Sequence, residues 1–139
     1  MSSPNDAISD VIGMLHSPGS DCDFGVDESH LSAMIDLARG RYPNRAVRAV
    51  KSWMWWDFEV SKAELARFVS IDVKPAMIFA HYLIWDSRGQ WAEGWNVKST
   101  PLVKFEENCF FITRNSVYIL VGKGTRKPVD PNVAASLYF

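Results

Sequence analysis

The residues best suited to chemistry are His81, Glu106 with its neighbour Glu107, and Arg114. A metal-independent ribonuclease draws a base, a phosphate clamp and an acid from such types on different strands of one sheet. If the chain is an enzyme, His81, Glu106 and Arg114 are its candidate catalytic set. No companion motif surrounds them, however, and His81 lies inside an apolar run, so the leading reading assigns no catalytic residue. Gly122-Lys123-Gly124-Thr125 lacks the spacing of a phosphate loop and runs into Arg126-Lys127-Pro128 rather than a helix, so it reads as a basic turn. His16, His30, His81 and Cys22 show no metal-ligand spacing, and no metal or cofactor is expected. Cys109 beside Phe110 and Phe111 reads as a buried thiol, not an activated one.

The remaining candidates are binding residues. Six tryptophans are many for 139 residues. Core packing accounts for most of them, but Trp91 and Trp95 flank Ala92-Glu93-Gly94 in an expected loop. With Arg88 and Lys98 nearby, they have the make-up of an interface anchor. Charge is also segregated. Residues 1–38 hold seven acidic residues and no Lys or Arg, whereas all 15 basic residues follow. Asp6, Asp10 and Asp36 are therefore candidates for an acidic partner-facing surface, unless the two layers neutralise each other.

These residues need a scaffold, and residues 76 to 121 supply the clearest one. Ala76 to Trp85, Trp95 to Ser99, Leu102 to Phe105, Cys109 to Thr113 and Ser116 to Val121 read as short strands separated by turn residues. Connections of about two to five residues make neighbours antiparallel. An upstream strand, Lys51 to Glu59, places Trp53 and Trp55 on one face and Met54, Trp56 and Phe58 on the other. Ser61 and Glu64 have capping-box spacing, with Leu65, Phe68 and Val69 as the expected buried face of a short helix. Amphipathic helices are expected at about residues 4 to 16 and 28 to 40, the second capped by Asp27 and burying Leu31, Met34, Ile35 and Ala38. The fold class is α+β: an antiparallel, possibly mixed, sheet of about five strands with N-terminal helices on one side. A single domain is expected, divided into an acidic helical segment (1–45), a sheet-forming segment (46–125) and a tail (126–139).

Composition fits a cytoplasmic globular protein. The hydrophobic fraction is 47%, and no apolar run approaches the ~18 residues of a membrane span. Asp6 and Asp10 stand where a signal peptide carries basic residues, and both cysteines are expected to be reduced.

Trp85-Asp86-Ser87-Arg88-Gly89, Val97-Lys98-Ser99 and the run Thr113 to Gly122 carry a resemblance. Over roughly residues 50–125 the chain resembles small uncharacterised bacterial and prophage-carried proteins. The resemblance implies a bacterial, mobile-element setting and no particular activity. The leading expectation is a non-enzymatic protein that binds another protein or a ribonucleoprotein complex, such as an inhibitor of a host defence system or an immunity-type protein. The alternatives are a nucleic-acid-binding module using the basic sheet layer and a small metal-independent nuclease.

Overall fold

The computed structural model describes Gly13 and residues 17–132. Its strands are β1 (Ser20–Cys22), β2 (Ala46–Phe58), β3 (Ala76–Asp86), β4 (Val97–Lys98), β5 (Lys104–Glu106), β6 (Phe110–Ile112), β7 (Ser116–Leu120) and β8 (Gly124–Val129). A 3₁₀ turn at Glu28–His30 leads into helix α1 (Leu31–Arg41), and α2 (Lys62–Ser70) joins β2 to β3.

The expected α+β class is present, but the sheet is mixed and has more strands than expected. β2 pairs antiparallel with β3 on one edge. On its other edge the first half runs parallel to β7 and the second half parallel to β8. Sequence spacing shows which strands are hairpin neighbours; these two parallel joins bring together residues about 70 apart, which leave no local signal. The segment from Arg126 to Val129, expected as tail, forms the last four residues of β8, and Ser20–Cys22, expected as loop, pairs with the first half of that strand, Gly124 to Arg126.

The ladder curls until it returns to its start. β4 pairs with β3, and the chain after it donates from Ser99 to Ile78 O and from Leu102 to Ala76 O. Val103 then donates to Ile112 O, and β5, β6 and β7 pair in turn back to β2. Val50, Trp53, Trp55, Ile78, Leu83, Phe111, Tyr118 and Leu120 fill the interior. Trp55 sits edge-on to Phe111 at 4.8 Å and to Phe105 at 5.1 Å.

A residue slip in β2 sets which side chains face inward. Between the pairs Val50–Leu120 and Met54–Thr125, β2 advances one residue less than the chain beside it. Ser52 occupies the left-handed region there, at φ 54°, and Gly122 does so opposite it, at φ 69°. Alternation therefore changes phase. Val50, Trp53 and Trp55 share the interior, while Val47 and Ala49 face α1 and Met54 and Trp56 face a third cluster with Phe79.

Helix α1 forms largely as expected. Asp27 accepts the Ser29 N–H at 3.0 Å, and Leu31 and Ala38 are buried against Val47, Phe110, Val117 and Ile119. The Ser61–Glu64 capping box also forms. The burial expected of α2 does not. Leu65 and Val69 are 43% and 64% exposed, and Phe68 is only half-buried. Periodicity marks the apolar face of a helix but not whether anything covers it. The helix expected at about 4 to 16 falls almost wholly outside the described residues. Among the described residues, no helix is long and apolar enough to cross a membrane.

Candidate binding site

At the end of β3 the Asp86 side chain is 1% exposed, and a loop wraps around it. Its Oδ1 accepts the Arg88 N–H at 3.0 Å; its Oδ2 accepts those of Gln90 at 2.9 Å and Trp91 at 3.0 Å. Burial disfavours the carboxylate, but these three donors and the Arg48 charge outweigh it and hold Asp86 below the usual carboxylate range.

Arg48 stands opposite Asp86 in the β2–β3 register and is itself buried. Its Nε lies 3.2 Å from Asp86 Oδ1, while Nη1 donates to Ser116 Oγ at 2.8 Å and Nη2 to Gln90 Oε1 at 3.2 Å. The guanidinium lies 3.6 Å from the Trp91 ring centroid. Beside it opens a cavity of about 240 Å³ lined by Asn44, Ala46, Arg48, Arg88, Gln90, Asn115 and Ser116. Arg88 is exposed at its rim, with Nη2 donating to Asn44 O at 3.3 Å. This mouth of the curled sheet is polar, donor-rich and built on paired strands.

Arg88 and Trp91 thus come together around Asp86, although Trp91 is half-buried against Arg48 rather than displayed. Trp95 lies further along the same loop and is 56% exposed. Its carbonyl accepts the Leu83 N–H and Gly94 donates to Leu83 O, so the later part of the loop is tied back to β3. Lys98 is half-buried in β4, and burial lowers its pKa. Asp36 is exposed on α1 and does not line this cavity, while Asp6 and Asp10 lie outside the described residues. Arg48, Asp86, Gln90 and Ser116 are not in the binding set read from sequence. Arg48 carried a usable signal: an arginine within Ala46-Val47-Arg48-Ala49-Val50 must find a partner if that run is buried.

The candidate catalytic set does not assemble through any contact among the described residues. His81 lies edge-on to Phe79 at 5.0 Å and lines a second depression with Asp21, Ser52, Lys123 and Thr125. Glu106 accepts from Tyr42 Oη at 2.5 Å and from Arg41 at 3.2 Å. Tyr42 first, then Arg41 and Lys104, keep its pKa low against burial. Arg114, beyond the other end of β6, donates to Ile71 O. Burial and the nearby Glu107 push the Cys109 thiol up to about 11, which leaves it protonated and unreactive near neutral pH. Among the described residues no three His, Cys, Asp or Glu side chains cluster as a metal site.

A family model described as "Domain of unknown function (DUF6957)" matches residues 23–136. The chain belongs to this family. The match is wider than the resemblance over 50–125 and takes in α1 and β8, so the DUF6957 unit includes both the mouth and the helix packed outside it. No curated protein and no solved structure matches the chain.

Proposed function

We propose that this DUF6957 protein is a non-enzymatic binding protein that docks another macromolecule at the mouth of its sheet. The observation that supports this reading is the Asp86-pinned loop, which holds Arg88 at the rim and leaves Trp95 more than half exposed. A loop fixed by a buried carboxylate and by bonds to β3 loses little conformational freedom on binding, which lowers the entropic cost of docking. Arginine and tryptophan are also the usual energetic anchors of protein interfaces. The resemblance to bacterial and prophage-carried proteins favours a cytoplasmic role as an inhibitor of a host defence system or as an immunity-type protein.

The test is affinity capture from bacterial lysate, with and without nuclease, using the wild type and an Arg88→Glu/Trp95→Ser double variant. A stoichiometric protein partner that survives nuclease and is lost by the variant is the expected result. Equal capture by both proteins would overturn the reading, and loss of all partners on nuclease treatment would favour the nucleic-acid module instead.

A further inference from the structure

Resting on the docking reading above, we infer that the cavity at the mouth receives a single carboxylate of the partner. The Nε edge of Arg48 faces Asp86 Oδ1 at 3.2 Å as an ion pair that makes no hydrogen bond. Its two Nη groups point instead at Ser116 and Gln90, and both of those residues line the cavity. Each Nη group therefore addresses the cavity wall, where it meets only neutral oxygens. Arg88 reaches in from the rim and is likewise occupied by a neutral oxygen, the Asn44 carbonyl, at 3.3 Å. A carboxylate is a better acceptor than a side-chain amide or a peptide carbonyl, so it displaces Gln90 Oε1 and Asn44 O in favour of charge-assisted bonds.

Charge selects the class of anion. Asp86 cancels one of the two arginine charges and leaves one, which balances a monoanion; a phosphate dianion would be left half-compensated in a partly buried site. The remaining lining side chains, Asn44, Gln90, Asn115 and Ser116, offer amide and hydroxyl donors that add no charge. A partner provides such a group either as its C-terminal carboxylate or as a Glu or Asp side chain.

Nuclear magnetic resonance titration of the full chain tests this, following the arginine Nε–Hε signals and the backbone amides of Gln90, Asn115 and Ser116. The probes are N-acetylalanine (a C-terminal carboxylate only), N-acetylglutamate with its α-carboxyl blocked as methylamide (a side-chain carboxylate only) and inorganic phosphate. At least one carboxylate should shift these signals saturably in the millimolar range, and the one that binds tighter identifies the source. Arg88→Gln, an exposed and fold-neutral change, should weaken that binding about tenfold. Absence of a saturable shift, unchanged affinity in Arg88→Gln, or tighter binding of phosphate would each overturn the inference. Carboxylate binding combined with unaltered macromolecular capture by the double variant would keep this site and overturn the docking reading; the reverse combination would overturn the site alone.

Discussion

Asp86 makes three backbone hydrogen bonds and faces a buried arginine, so its removal acts on both the loop and the strand. Asp86→Asn leaves Arg48 buried without a counter-charge and should cost about 3 kcal/mol, measured by denaturant unfolding at neutral pH. The pH dependence follows from the direction of its shift. Because the folded state holds Asp86 below its ordinary value of 3.8, the charged form contributes stability that is complete above that value. The contribution is lost as pH falls through the lower, folded-state pKa. The melting temperature of the wild type should therefore fall below about pH 3.8, and Asp86→Asn should flatten part of that fall. An unchanged acid profile in the variant would place the acid sensitivity elsewhere, Asp27 and Glu106 being further carboxylates held low.

The elements differ in how far they can be read from sequence, for reasons that are local. The β5–β6–β7 meander and the Ser61 capping box depend on residues a few positions apart, and both are legible. The opposite faces of Trp53 and Trp55 against Met54 and Trp56 are legible too, because alternation holds on that side of Ser52. The first half of β2 is not, since a one-residue slip exchanges every face upstream of it. Nor is the β2–β8 join, which depends on a close approach that only a glycine permits. A Cβ on Gly124 would lie 2.3 Å from the Trp53 ring, and that ring is 1% exposed and pinned by its Nε1 bond to Gly122 O. Gly124→Ala should cost about 2 to 3 kcal/mol by chemical denaturation. A neutral result would show that β8 adjusts freely and that the parallel join contributes little.

At the scale of the whole molecule, the charge split resolves only in part. Among the described residues, ion pairs join Arg41 to Glu106 and Glu107, Arg48 to Asp86, Lys104 to Glu106 and Arg126 to Asp57. Asp21, Asp23, Asp27, Glu28 and Asp36 are exposed and take part in none of these. The binding set read from sequence reached the mouth through Arg88 and Trp91 but missed Arg48 and Asp86. Their pairing exists only once β2 and β3 are in register. Ligand sites at the open ends of curled sheets commonly depend on such non-local meetings. The account's central claim is that this mouth is the docking surface. Hydrogen–deuterium exchange of the protein with and without its captured partner tests it most directly. The account predicts new protection concentrated in residues 87–96, 44–48 and 114–116. Protection confined to the exposed face of α2 around Leu65 and Val69, with the mouth unchanged, would contradict it.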